Sequence, residues 1–256
     1  MGWRAFRSTG SLLRHLIAPA CEPFGFVRGV LEYPRYLVNW ARYSSLAGAE
    51  RPRIADALPK LHDRTRSLAV DPHYFYANGW AMRGIVQRSP KHHVDVGSQS
   101  MFANLLGAVV PVTFLEYRPL ELKVEGVTNR QGDLLDLPFP DGSLESVSCL
   151  HVAEHLGLGR YGDDLNPEGT RRACSQLARV LAKGGLLYFA VPVGVERVCF
   201  NAHRVLAPET VMKYFADLEL KELSGVDDNG RFLRHVSPQT LADNDYACGM
   251  FLFQKS

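Results

Sequence analysis

From about residue 90 onward, short apolar runs of strand length alternate with longer stretches of helical spacing. Short apolar runs bounded by glycine or proline are typical of buried strands, and apolar residues three and four apart are typical of helices that cover a sheet. The runs predicted as strands are 93–96, 112–116, 127–132, 146–151, 186–191 and 246–253. The predicted helices are 102–109, 168–181 and 208–215. This alternation predicts an α/β fold with a doubly wound, mostly parallel sheet.

The first 90 residues have a different pattern, with aromatic and arginine-rich stretches interrupted by prolines. They predict short helices and loops. We therefore expect two parts, a helical, basic and aromatic N-terminal extension over 1–90 and a domain over 91–256. Within the extension, 71–85 is predicted as an aromatic helix that packs against the sheet, with Tyr76 and Trp80 one turn apart. A sharper alternative is that His73 or Tyr74, at its start, closes over a bound ligand.

Composition limits the function classes. The net charge of +2 over 256 residues gives no strong field for nucleic acid, so no nucleic-acid partner is expected. The cysteines are odd in number and never spaced as C-x-x-C, which favours a reducing, cytoplasmic setting over disulfides or a zinc site. They are Cys21, Cys149, Cys174, Cys199 and Cys248. No apolar run is long enough for a spanning helix.

Residues 1–45 carry six arginines and two glutamates, a net charge of +4, interleaved with aromatic and aliphatic residues. The default interpretation is a helical cap or dimer arm. Peripheral membrane contact is an alternative, although the prolines are expected to prevent one long amphipathic helix. A transit peptide has the same composition and is a third possibility.

Chemistry-bearing residues follow the first two predicted strands. Asp95 and Gly97 lie in the turn VDVGSQS, where a glycine lets the backbone approach a ligand. Glu116 ends the next strand, about twenty residues later, where a carboxylate can accept hydrogen bonds from both hydroxyls of a ribose. The carboxyl ends of such strands form the ligand crevice of this fold class.

The third and later strands carry a specific resemblance. The segments QGDLLDLPFPDGS, SCLHVAEHL and RVLAKGGLLYFAVP resemble, in order and spacing, the class I S-adenosylmethionine (SAM)-dependent methyltransferases, most closely the type-11 group. The likeness covers about residues 91–256 and implies a seven-stranded, Rossmann-like sheet. A narrower likeness, to an uncharacterised bacterial domain family of this fold, lies in DPHYFYANGWAMR, LHVAEHLGLGRYGD and FNAHRVLAPE.

The resemblance implies cofactor-binding roles. Asp95, Gly97 and neighbouring Ser98 would meet the methionine moiety of SAM, and Glu116 would hold the ribose. The remaining implied contacts are Asp133 and Leu134 with the adenine, and His151 beside the transferred methyl group. The chain departs from the family pattern at Gln99 and Met101, which replace glycines, and in a link after Glu116 too short for the customary helix.

A methyl acceptor that must lose a proton needs a base, and histidine suits that task near neutral pH. We expect His151 and His203 to be catalytic, whereas His155 is more simply a packing residue. The expected substrate-binding residues are Glu154, Arg160, Tyr161, Asn201 and Arg204. His151 and His155 have the spacing of a metal pair but lack a third ligand at a telling distance, so no metal is predicted.

The sequence thus predicts a SAM-dependent methyltransferase acting on a small-molecule or saccharide acceptor, by O- or N-methylation. The alternative is a non-catalytic adaptor that kept the fold, suggested by Gln99 and Met101. A nicotinamide-dependent oxidoreductase is disfavoured because G-x-G-x-x-G is absent.

Overall fold

The computed structural model describes residues 26–61, 63–66, 68–118 and 120–256. Two compact units are distinguished, Met1–Ala69 and Val70–Ser256. In the described part of the first unit, helix α1 (Phe26–Ser44) is followed by a 3-10 turn at Ile54–Asp56. None of the described helices is long and apolar enough to cross a membrane.

Helix α1 corrects one expectation, because it continues for 19 residues through Pro34. A proline inside a helix removes one backbone hydrogen bond and bends the axis, and here the helix forms around it. The remaining part of the basic segment, residues 1–25, lies outside the described residues.

The second unit is built on an eight-stranded sheet in the order β3-β2-β1-β4-β5-β10-β8-β9. Its strands are β1 (His93–Val96), β2 (Val112–Glu116), β3 (Val127–Gln131), β4 (Leu144–Leu150), β5 (Leu181–Val193), β8 (Leu218–Val226), β9 (Phe232–Leu233) and β10 (Ala247–Lys255). A separate antiparallel ribbon pairs β6 (Arg197–Cys199) with β7 (His203–Val205). The helices are α2 (Pro72–Arg88), α3 (Ser100–Gly107), α4 (Gly169–Val180), α5 (Pro208–Tyr214) and α6 (Pro238–Ala242).

The pairing confirms the predicted doubly wound, mostly parallel sheet. Neighbouring strands among β3, β2, β1, β4 and β5 are parallel, whereas β10 is antiparallel to both β5 and β8. Strand β8 was not predicted, because its LELKELSGV segment is rich in the helix formers Leu, Glu and Lys. Two-residue β9 extends the expected seven strands to eight.

Helices cover both faces of the sheet. On one face, α2 and α3 bury Trp80, Ile85 and Leu106 against Tyr188 and Met250. On the other, α4, α5 and α6 contribute a second apolar cluster, including Ala173, Leu177, Val180, Val211 and Leu241. Helix α2 therefore packs against the sheet, as predicted for residues 71–85.

The connection from β2 to β3 is short, as the sequence indicated, and its described residues contain no helix. It passes close to the end of α3. Gly126 has φ +75°, and a Cβ there would lie 2.0 Å from the Gly107 carbonyl oxygen. Only glycine fits this crossing. The compact link brings the ends of β2 and β3 side by side.

Candidate active site

A cleft of about 450 Å³ opens at the carboxyl ends of β1, β2, β3 and β4. Strands β2 and β4 flank β1 on opposite sides, so the cleft lies where the connections change direction, the usual ligand position in this fold class. The sequence-predicted site residues on its wall are Gly97, Glu116, Asp133, Leu134, His151 and Tyr161.

The turn after β1 places Gly97, which has no side chain, on the floor of the cleft. Gly97 has φ +68°, and an added Cβ would lie 3.0 Å from Val152 Cγ1 and 3.7 Å from Glu116 Oε2. Glu116 uses its other carboxylate oxygen, Oε1, to accept a hydrogen bond from the Arg118 backbone N–H at 3.1 Å. The glycine thus keeps open the space into which the Glu116 carboxylate faces.

The residues that follow β3 form another part of the cleft wall. Asp133 accepts a hydrogen bond from the Leu135 backbone N–H at 2.8 Å, which fixes its carboxylate at the end of the strand. Leu134 beside it is buried and lines the cleft. A hydrogen-bond acceptor next to an apolar face is the combination that a purine ring needs.

Asp95 and Ser98 lie beneath the cleft rather than on its wall. Both are buried, and Asp95 Oδ1 accepts hydrogen bonds from the hydroxyls of Ser98 and Ser148. Burial raises the pKa of Asp95 to about 7, although these hydroxyl donors act in the opposite direction. The two residues hold β1 to β4, which corrects the expectation that their side chains line the cofactor site.

His151 lies directly after β4 and has contacts at both ring nitrogens. Its backbone has φ +59°, uncommon outside glycine, and its side chain is buried. Its Nδ1 lies 3.2 Å from Glu154 Oε1, and its Nε2 lies 3.3 Å from Cys248 Sγ. Burial by itself lowers the pKa of His151, but the Cys248 sulfur and Glu154 carboxylate outweigh it and raise the pKa to about 10. With both nitrogens engaged, His151 does not have the free lone pair expected of a general base.

Glu154 is buried as well, which corrects its expected contact with substrate. Its Oε1 faces His151, and lies 3.8 Å from His155 Nε2, whereas Oε2 has no hydrogen-bond partner. His155 donates from Nδ1 to the Ala202 carbonyl at 2.6 Å. This contact is consistent with the prediction that His155 is a packing residue. The His155 ring also lines the cleft.

The ribbon residues lie outside the cleft wall. His203 is partly buried, 5.1 Å from the Tyr246 ring by centroids, and burial lowers its pKa. Asn201 is exposed in the turn between β6 and β7. Arg160 donates to the Ala202 carbonyl at 3.1 Å, which ties the loop after β4 to the ribbon.

The loop of residues 157–168 covers one side of the cleft and is held from within. Asp163 accepts hydrogen bonds from the backbone N–H groups of Gly157 and Tyr161. The Tyr161 ring lies 4.8 Å from the Arg118 guanidinium carbon and 5.1 Å from that of Arg160. These contacts place an aromatic ring at the cleft mouth.

Arg204 has a structural task that the sequence did not indicate. It is buried and donates to the Leu156 carbonyl at 2.6 Å, to Thr170 Oγ1 at 3.1 Å and to the Asn166 carbonyl at 3.3 Å. Its donors are therefore used inside the protein. The expected contact of Arg204 with substrate is corrected to a contact that holds the loop.

The start of α2 brings His73 and Tyr74 to His151. Asp71 accepts a hydrogen bond from the His73 N–H, which caps the helix. The His73 ring stacks on His151 with centroids 5.7 Å apart, and the Tyr74 ring lies 4.8 Å from His151. The sequence offered His73 or Tyr74 as residues that close over a ligand, and that stays a prediction. Nothing in the sequence linked Cys248 or Tyr246 to His151.

Comparisons with known proteins agree on the fold. The YcgJ protein of Bacillus subtilis superposes with a TM-score of 0.51 at 14% identity, covering 71% of this chain and 98% of that one. The N-methyltransferase NodS of Bradyrhizobium japonicum, solved with S-adenosylhomocysteine (SAH), gives a TM-score of 0.50 at 15% identity, covering 85% and 97%. The chain has the Rossmann-like methyltransferase fold.

Sequence comparisons add a partial family match. Residues 141–225 match a family described as a Caenorhabditis protein of unknown function, DUF268. The match spans about a third of the chain, and its description names Caenorhabditis where the sequence likeness suggested bacteria. No curated protein matches the sequence.

Proposed function

We propose that this protein binds SAM in the cleft and transfers its methyl group to a small-molecule or saccharide acceptor. The observation that carries the proposal is the pairing of Gly97 with Glu116. Gly97, which has a positive φ and no side chain, lies opposite the Glu116 carboxylate, and a Cβ on Gly97 would be 3.7 Å from Glu116 Oε2. The two residues follow and end adjacent parallel strands. NodS has the same fold and was solved with SAH, and we extend that binding to this chain.

The donor set fits the cofactor. The Glu116 carboxylate is placed to accept from ribose hydroxyls, and Asp133 with Leu134 offers an acceptor and an apolar face for adenine. Gly97 leaves room for the methionine moiety. The cleft also has further carboxylates, Asp163 and Asp164, which favour a cofactor that carries a sulfonium and an ammonium group.

The bound cofactor supplies an activated methyl group, so the protein mainly has to align the acceptor with it. His151, with Tyr74 against its ring, forms a rigid wall at the end of β4. His203 is the proposed proton acceptor, since its lowered pKa keeps its imidazole neutral near pH 7. It would serve an acceptor that extends from the cleft toward the β6–β7 ribbon.

Acceptor recognition is assigned to the loop side of the cleft. Tyr161 presents an aromatic face there, supported by Arg118 and Arg160. Aromatic rings with adjacent polar groups suit sugars and small polar molecules. We propose O- or N-methylation of such an acceptor.

A non-catalytic adaptor is the second candidate, favoured by Gln99 and Met101 in the first motif. Gln99 accepts a hydrogen bond from Asn78 at 2.9 Å, and Met101 is exposed; neither lines the cleft. These residues therefore leave the cofactor space free. An adaptor would bind SAM or SAH without transferring label to any acceptor in a cell extract.

Calorimetry with SAM and with SAH tests the cofactor step. The wild-type chain should bind both with a stoichiometry near one, and Glu116→Ala should weaken binding at least tenfold, since charge-assisted hydrogen bonds contribute about 1.5–3 kcal/mol each. Glu219→Ala is the matched control, because Glu219 is an exposed carboxylate on β8. Absence of binding by folded wild-type protein would reject both the enzyme and the SAM-binding adaptor.

A further inference from the structure

Three buried side chains from distant parts of the chain converge beside the cleft. His73 lies in the first turn of α2, His151 follows β4, and Cys248 lies in β10. Each offers one ligand atom, and the three atoms lie within 4.8 Å of one another. Imidazole nitrogens and a cysteine sulfur are the ligands that zinc and related transition metals prefer.

We propose that His73, His151 and Cys248 bind a divalent transition metal of the zinc type. In a tetrahedral zinc site the metal lies about 2.0–2.1 Å from nitrogen and 2.3 Å from sulfur, so ligand atoms lie roughly 3.3–3.7 Å apart. The 3.3 Å between His151 Nε2 and Cys248 Sγ already meets this spacing. A small movement of the His73 ring completes the set.

The surroundings of His151 are those of a metal ligand. Its Nδ1 faces Glu154 Oε1 at 3.2 Å, and its Nε2 faces Cys248 Sγ at 3.3 Å. In the metal-bound form Nδ1–H would donate to the carboxylate, and Nε2 would release its proton and bind the metal. A carboxylate that orients a ligating histidine in this way is the usual second layer of a zinc site. Glu154 is therefore assigned as a positioning residue.

The burial of Glu154 supports the same assignment. Glu154 is 1% exposed, and one of its carboxylate oxygens has no hydrogen-bond partner. Among the described residues its ion-pair partners are His151 and His155, with no lysine or arginine. A buried polar atom without a partner calls for an explanation such as a bound ion. A cation held by the three ligands beside Glu154 provides one.

Three protein ligands leave a fourth position for water or another small ligand, as in zinc sites that are not purely structural. The site borders two openings of the protein, since His151 lines the cleft and His73 lines a shallow depression with Tyr246. The pair His151 and His155, whose sequence spacing suggested a metal, is not the relevant one. His155 contacts the Ala202 carbonyl instead.

Cobalt titration of chelator-treated, full-length protein tests the proposal without SAM. One equivalent of Co²⁺ should produce thiolate-to-cobalt charge-transfer absorption in the near ultraviolet, and Zn²⁺ should displace it. Cys248→Ser should lose this absorption, whereas Cys199→Ser should match wild type because Cys199 lies in the β6–β7 ribbon. His73→Gln should keep the absorption but weaken Co²⁺ binding at least tenfold.

Glu154→Gln separates metal positioning from packing, with an expected 10–100-fold loss of Co²⁺ affinity and an unchanged absorption band. The proposal is overturned if folded wild-type protein shows no saturable Co²⁺ binding, or if Cys248→Ser keeps the thiolate band. Should Cys248→Ser not fold, unchanged Co²⁺ affinity in both His73→Gln and Glu154→Gln overturns it. SAM binding, measured separately by calorimetry, does not enter this decision.

Discussion

The Ser98 hydroxyl donates to Asp95 Oδ1 at 2.7 Å, and its oxygen accepts the Leu150 backbone N–H at 3.0 Å. This contact joins the turn after β1 to the end of β4 directly under the cleft. Ser148 continues the network to His93, whose Nε2 lies 2.8 Å from the Ser148 hydroxyl oxygen. Because Asp95 and His93 are fully buried, the network makes folding stability depend on pH.

Replacement of Asp95 by asparagine tests that dependence. The folded-state pKa of Asp95 is raised to about 7 by burial, so its contribution to stability is fullest below its ordinary pKa of 3.8 and is lost as pH rises toward 7. Wild-type stability should therefore fall relative to Asp95→Asn between pH 4 and pH 7, by a few kcal/mol at about 1.4 kcal/mol per pKa unit.

The measurement is the free energy of unfolding by urea at several pH values. His93 acts in the opposite direction in both proteins, since burial, followed by the charge of His92, lowers its pKa to about 3 and removes stability as pH falls from 6.5. Comparing the two proteins cancels this effect. Parallel pH profiles would mean that Asp95 does not titrate as its burial requires.

A methyl group at Gly97 should block the cofactor more than it disturbs the fold. Gly97→Ala places a side chain in a positive-φ turn, which costs about 1–2 kcal/mol, and puts Cβ beside Val152 and Glu116. We expect a lower melting temperature and at least tenfold weaker SAH binding. Gly184→Ala is the control, because Gly184 has φ +75° with open space around it. It should lose similar stability and keep SAH affinity; an equal loss of affinity in both would contradict the cleft assignment.

Replacement of Arg204 should destabilise the loop of residues 157–168, because Arg204 binds loop carbonyls and not substrate. Arg204→Ala removes donors to the Leu156 and Asn166 carbonyls and leaves buried acceptors unpaired, at a cost of about 2–4 kcal/mol. Urea unfolding should show the loss, and limited proteolysis should cut within residues 157–168 more readily. Exposed Arg234→Ala should match wild type. An unchanged stability of Arg204→Ala would contradict the structural role.

Much of the fold was predictable because buried parallel strands leave short apolar runs in the sequence. The bounds of β1 and β2 are those predicted, and α4 begins and ends within one residue of its prediction. Strand β8 was missed because Leu, Glu and Lys favour helices in isolation. Pairing with β10 along its length, and with β9 at its end, makes the segment a strand. Local composition cannot indicate that a segment will pair with a strand much later in the chain.

The positions of cleft residues were predictable where they follow from a place at a strand end, and the roles of these residues stay predictions. Gly97, Glu116, Asp133 and His151 all line the cleft as expected. The contacts of Arg204 with carbonyls, and of Cys248 with His151 across 97 positions, depend on tertiary packing. Sequence spacing therefore does not indicate the contact between His151 and Cys248.

Hydrogen–deuterium exchange with and without saturating SAH tests the central claim most directly, because it reports both binding and its location. We expect slower exchange in the turns after β1, β2 and β3, at residues 97–101, 116–118 and 132–135, and no change in β8 (Leu218–Val226). Absence of protection in all three turns, or protection confined to other parts of the chain, would contradict a SAM site in this cleft.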